Sequence, residues 1–223
     1  MTTHDPIPSA TEATVMIHRS AALLLAIVAF ALPGSVEAVS CSSNVTPSTP
    51  DEDFQIDADG TAQHLPTGLM WMRCDLGQTW TGTTCAGSSA TFTSWGAGMR
   101  AVRDINAGVS DLDGDGAAGF AGHVDWRVPN IKEWLSIREN CRHTPALNNI
   151  VFPNAPLAAS HYSSTTDDKS PMMVWRFDTQ FGSAGLILKD DNIPRFMRLV
   201  RGGHRGGDYA PIPPLFSDGF EGP

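Results

Sequence analysis

The sequence predicts an α+β domain stapled by disulfides, with two helices packed on small antiparallel sheets. Strand-like stretches bounded by turn residues occur near Phe54–Cys74 and return near His161–Arg201, and two helical patterns lie between them. All four cysteines follow an N-terminal targeting segment, and an even count in an oxidising compartment reads as two disulfides. A chain of 223 residues with 41% hydrophobic content buries one substantial core, so a single domain with flanking segments is expected.

Residues 1–38 read as a secretory signal. His18 and Arg19 precede the apolar run Ala21–Leu32, Pro33-Gly34 breaks it, and Val36-Glu37-Ala38 places short residues where a signal peptidase reads. Met16 serves equally well as a start, and the run is too short to span a membrane comfortably. Ala38-Val39-Ser40-Cys41 also loosely matches a lipobox, so a lipid anchor on Cys41 is the alternative to a soluble product. Cleavage after Ala38 removes one of 15 basic and three of 24 acidic residues, leaving 14 against 21, a net charge of −7. An acidic exported chain of this kind has no general attraction to nucleic acid or anionic membranes.

Residues 39–51 form an extended lead-in, and the domain is expected over 52–203. Phe54-Gln55-Ile56 and Thr61–His64 flank Asp57-Ala58-Asp59-Gly60, a hairpin signal, and Leu69–Cys74 is apolar on both faces, as a central strand would be. Cys74 and Cys85 flank a Gly/Thr-rich loop, which favours a local bridge between them and a long-range Cys41–Cys141 bridge among the three connectivities. Thr93 or Ser94 caps a helix on which Trp95, Met99, Val102 and Ile105 recur, and Asn106-Ala107-Gly108 ends it. An acidic loop, Asp111–Gly122, follows.

Asp125-Trp126-Arg127-Val128-Pro129-Asn130-Ile131-Lys132-Glu133-Trp134 specifies the second helix. Pro129 pushes Val128 to extended geometry, Asn130 caps, and Glu133 bonds back to the cap, so a helix starts at Ile131 and is expected to run to about Asn140-Cys141. Residues 142–160 are Pro- and Asn-rich without periodicity and read as a functional loop. Strands are expected at 161–165, 174–177, 186–188 and 196–201, followed by a Gly/Pro-rich tail over 204–223 that ends in Leu215–Glu221, a short Asp-Gly-Phe-Glu tag.

In these pieces the chain resembles the Lcl C-terminal domain family, a bacterial domain of unknown function. The similarity is carried by Thr67–Trp71, Cys74…Cys85, Asp125–Glu133, Tyr162–Thr165 and Arg198–Gly203. The Trp-Arg-x-Pro-x-x-x-Glu signature (Trp126, Arg127, Pro129, Glu133) is also similar to that of sulfatase-modifying enzymes. The resemblance implies a C-type-lectin-like fold and, since family members include adhesins for sulfated polysaccharides, a binding or surface-interaction module for glycans. Two departures stand out: the segment Asp111–Gly116 where most members are shorter, and His161 in place of an aromatic pair.

Asp111, Asp113 and Asp115 stand at alternate positions before Gly116, the first half of a calcium loop, although the twelfth position would be Gly122 and Asp125 or a carbonyl would have to substitute. A solvated Asx turn is the competing reading. Arg195, Arg198, Arg201, His204 and Arg205 form a basic cluster; Arg198, Arg201 and Arg205 with Trp175 are the expected ligand-binding set for a glycan or surface polyanion, against which stands internal pairing of Arg198 or Arg201. Trp71, Trp95, Trp126 and Trp134 read as core, Trp80 and Trp175 as less committed. Arg127 and Glu133 are expected to pair. No cysteine follows Cys141, the histidines are scattered, and Gly-x-Ser-x-Gly, His-Glu-x-x-His and phosphate-cradling motifs are missing, so an enzyme is not expected. A structural cell-envelope protein without a small ligand is the alternative to the binding module.

Overall fold

The computed structural model describes Cys41 and residues 44–202. The signal segment, the remainder of residues 39–43, and the tail with Arg205 and the terminal tag lie outside the described residues.

An antiparallel sheet joins the two ends of the domain. Strands β1 (Phe54–Ile56), β2 (Thr61–His64), β3 (Leu69–Met72) and β9 (Val200–Arg201) run in the order β1-β2-β3-β9. The hairpin between β1 and β2 turns at Asp57–Gly60, where Gly60 takes φ 91°, a left-handed conformation that costs a glycine little. Its register sets Ala62 beside Trp71 and Trp71 beside Val200, and all three are fully buried. The Gly/Thr-rich loop holds a small hairpin of β4 (Thr79–Trp80) and β5 (Cys85–Ala86). A three-stranded sheet of β6 (Ser160–Thr166), β7 (Met173–Asp178) and β8 (Ser183–Leu188) has β7 at its centre and β8 at an edge.

Helix α1 (Trp95–Asn106) starts as expected: Ser94 Oγ accepts the Ala97 N–H at 3.2 Å, and Val102 and Ile105 are buried. Helix α2 (Ile131–Ser136) begins on the expected capping box but stops well short of Asn140-Cys141. Ser136 Oγ donates back to the Glu133 carbonyl at 2.7 Å, and the following turn is drawn toward the N-terminal segment. There the Glu139 carboxylate accepts the N–H groups of Ser48, Thr49 and Cys141, each at 3.0 Å, along with the Ser48 and Thr49 hydroxyls. Ser48 and Thr49 are thereby fixed to the domain, inside the expected lead-in.

Both disulfides form with the expected partners, Cys74–Cys85 and Cys41–Cys141. The Cys41 sulfur cannot also carry a lipid thioether, so that bridge and a lipid anchor are mutually exclusive. Residues 142–160, read as a functional loop, are anchored in the core by buried Ala146, Leu147, Val151 and Phe152. The segment 196–201 pairs as a regular strand only at β9. Before it, the carbonyls of Met197 and Leu199 accept from Leu76 and Met72, and that of Phe196 from Tyr162, so this stretch bridges the two larger sheets.

Two apolar clusters result. One gathers Trp71, Trp134, Phe152 and Phe177, with Trp134 stacked on Phe177 at 5.1 Å and 8°. The other gathers Trp126, Tyr162, Val174, Met197 and Leu199, with Trp95 partly buried against it. Trp71, Trp126 and Trp134 are buried as expected, whereas Trp80 and Trp175 keep partial exposure.

Candidate functional site

The acidic loop is held at its base by one side chain. Asn106, the last residue of α1, donates to the Trp126 carbonyl at 2.7 Å and accepts the Trp126 N–H at 3.1 Å, which closes both ends of the segment. The Gly119 N–H reaches the Ile105 carbonyl at 2.9 Å, and Trp126 Nε1 donates to the Phe120 carbonyl at 3.0 Å. Gly119 has φ 90°, and an added Cβ would overlap the His123 carbonyl, so this position admits only glycine. Between these pins, residues 109–117 stand out in solvent apart from half-buried Leu112.

Asp111 accepts the N–H of Gly114 at 2.7 Å and of Gly116 at 2.9 Å, Asp115 that of Ala117 at 2.7 Å, and Asp113 that of Ala121 at 2.9 Å. The Gly116 and Gly114 N–H groups hold the Asp111 carboxyl below the usual carboxylate range. One oxygen from each of Asp111, Asp113 and Asp115 lies within 4.8 Å of the other two. Calcium binds oxygen at about 2.3–2.6 Å, so these three fit around one such ion. Asp125 is not with them: its carboxylate takes Arg201 Nε at 2.7 Å and Nη2 at 3.3 Å.

The basic cluster is dispersed by internal pairing. Arg198 is fully buried, with Nη2 at 2.8 Å from Asp75 Oδ1, Nη1 donating to the Met72 and Arg73 carbonyls, and the guanidinium 4.7 Å from the Phe152 ring. It cannot meet a surface ligand, which corrects its place in the expected binding set. Two opposite charges left in an apolar interior need each other, because desolvation is repaid only by a close partner. Asp75 also takes His161 Nε2 at 3.0 Å; since an ionised carboxylate only accepts, Nε2 is the donor. Burial pushes the Asp75 carboxyl up, but Arg198 and His161 overcome this and hold it below its ordinary value. Arg201 is spent on Asp125, and Arg195 makes two 2.6 Å bonds to Asp191. Trp175 lies half-exposed on β7, beside Leu186 of β8, and Arg205 lies outside the described residues.

A family model for the Lcl C-terminal domain matches residues 60–201, well over half of the chain. The chain belongs to this family. No curated protein matches it. The Lcl C-terminal domain match takes in the three-stranded sheet, the four-stranded sheet apart from β1, both helices and the acidic loop.

The Lcl signature residues serve the scaffold. Trp126 is buried against Phe120. Arg127 and Glu133 form a two-pronged pair at 2.7 Å, and Arg127 Nη2 also holds the Gly202 carbonyl at 2.8 Å. Glu133 accepts the Asn130 N–H at 2.7 Å while Asn130 accepts the Glu133 N–H at 2.9 Å, and the Pro129 carbonyl takes the Ser164 N–H. Thr165 caps the same helix start, its hydroxyl accepting the Ile131 N–H at 2.9 Å. Two buried carboxylates escaped the sequence reasoning. Asp75 had a signal, an acid closing an apolar strand; Glu139 had none within its own segment.

Proposed function

We propose that this Lcl C-terminal domain is an exported bacterial binding module that engages glycans or other hydroxyl-rich surface polymers at the acidic loop, with calcium held by Asp111, Asp113 and Asp115. The convergence of three exposed carboxylates on a loop pinned by Asn106 and Trp126 carries the reading. Bound calcium would offer open coordination positions to sugar hydroxyls. Two disulfides and the N-terminal apolar run support a secreted, periplasmic or cell-surface location. The C-type-lectin-like description belongs to the same proposal, supported by two short helices against small antiparallel sheets. Because Arg198 and Arg201 are answered by Asp75 and Asp125, the polymer is read as neutral rather than polyanionic.

Calorimetric titration of calcium is the test, alongside a glycan array run with and without the ion. Extracellular calcium modules bind at about 10⁻⁴–10⁻³ M, and the same range is expected here, with loss of the signal in Asp113→Asn. No heat at millimolar calcium together with no calcium-dependent array signal would sink the proposal. The second reading, a structural envelope component, rests on the internal answering of Arg127, Arg195, Arg198 and Arg201 by carboxylates.

A further inference from the structure

Strand β8 is an edge that nothing in its own sequence protects. Edge strands ordinarily carry a charge, a proline or a bulge that discourages pairing. Ser183-Ala184-Gly185-Leu186-Ile187-Leu188 has none of these and pairs with β7 in unbroken register. The Lys189 N–H donates to the Met172 carbonyl at 2.9 Å, so in this register the odd-numbered residues of β8 aim their backbone groups at β7. Ala184, Leu186 and Leu188 aim theirs outward, and among the described residues those groups meet no partner. Leu186 and Leu188 are 38% and 47% exposed, large values for leucines in a sheet whose neighbouring strand positions are Trp175 and Met173.

We propose that β8 is the docking edge for a second copy of this chain, pairing antiparallel to itself about a two-fold axis at Leu186. An axis on any residue of β8 matches outward groups to outward groups, but only the axis at Leu186 pairs all three of them within the strand. Leu186 then faces its own copy, and Ala184 and Leu188 face each other, which completes six backbone hydrogen bonds. On one face Ala184 sits opposite Leu188; on the other, Gly185 sits opposite Ile187. Each bulky side chain therefore meets a small one, except at the leucine pair on the axis. Charge is compatible with this occupant. The span Ser183–Leu188 carries no charge, and Lys189 of one copy falls opposite Ser183 of the other, so no like charges face each other directly across the pair. The Lys189 carbonyl is taken by the Trp95 N–H at 2.8 Å, which limits the pairing to the span ending at Leu188. An added strand pair is a small interface, below about 1,200 Å², so the dimer should be weak and concentration-dependent.

Sedimentation velocity on the full purified chain, from micromolar to millimolar concentration, reads the association directly. The expected result is a rise from monomer to dimer mass, abolished by Leu186→Lys with an unchanged far-ultraviolet spectrum and retained in the control Leu65→Lys. The register has its own test. Cα atoms of a hydrogen-bonded antiparallel pair lie about 5.5 Å apart, within disulfide reach. Leu186→Cys should therefore oxidise to a covalent dimer, and Ile187→Cys, which faces glycine, should not. A chain that stays monomeric at millimolar concentration, or cross-linking at residue 187 as readily as at 186, overturns the proposal. So does a monomer that instead takes up an unrelated extended apolar peptide on β8.

Discussion

Glu139 shows how one carboxylate can set both a helix end and a pH dependence. Burial pushes its carboxyl up, but the N–H groups of Cys141, Ser48 and Thr49 outweigh this and bring it from 4.5 to about 2. A carboxyl depressed on folding contributes stability that is complete above its unfolded value and fades as pH falls toward the folded one. At 1.36 kcal/mol per pKa unit the contribution is about 3 kcal/mol. Urea unfolding should therefore show the natural chain losing about 3 kcal/mol more than Glu139→Gln between pH 6 and pH 2. Equal losses in both proteins would remove the clamp from the account. The contrast with Glu133 explains what could be read beforehand. Glu133 bonds to Asn130, three positions away, and its role follows from local spacing. Glu139 meets Thr49 across a separation of 90 residues, which no local pattern encodes. Arg198 was miscast for the same reason: a count of neighbouring charges sees a basic cluster, whereas burial with distant Asp75 decides its role.

Among the elements, α2 is the one whose existence rests most on its cap. Six residues are too few to be stable as an isolated helix, so the first turn must be fixed from outside. Asn130→Ala removes the acceptor for the Glu133 N–H and should cost about 1 kcal/mol. Chemical denaturation would reveal it as a lower midpoint with unchanged slope; no shift would mean that Thr165 and Arg127 hold the turn without it. Element starts were legible because Ser94 and Asn130 act on residues just after them. The stop at Ser136 and the irregular stretch before β9 were not, since contacts with other segments impose both. The acidic loop falls between: its Asp spacing and glycines were visible, but its pinning by Asn106 to Trp126 required the fold.

For the molecule as a whole, the two disulfides differ in what they close. The bridges span 100 and 11 residues, and the chain-entropy account gives roughly 5 kcal/mol for the long loop and roughly 3 kcal/mol for the short one. Replacing Cys41 and Cys141 by serine should lower the guanidinium midpoint more than replacing Cys74 and Cys85; the reverse order would contradict this ranking. The pairing was legible because only four cysteines were present and two flanked a turn. The burial of Leu147, Val151 and Phe152 was not, because apolar residues in a Pro-rich, aperiodic segment give no sign of which side they face. The Cys41–Cys141 bridge also governs how the domain would answer a mechanical pull. Tension entering at residue 41 crosses the covalent bond to residue 141 and never runs through the backbone between them. The hairpin β1–β2, both helices and the acidic loop are spared, and strain falls first on the later strands, which the buried Arg198–Asp75 pair ties back to the shielded half.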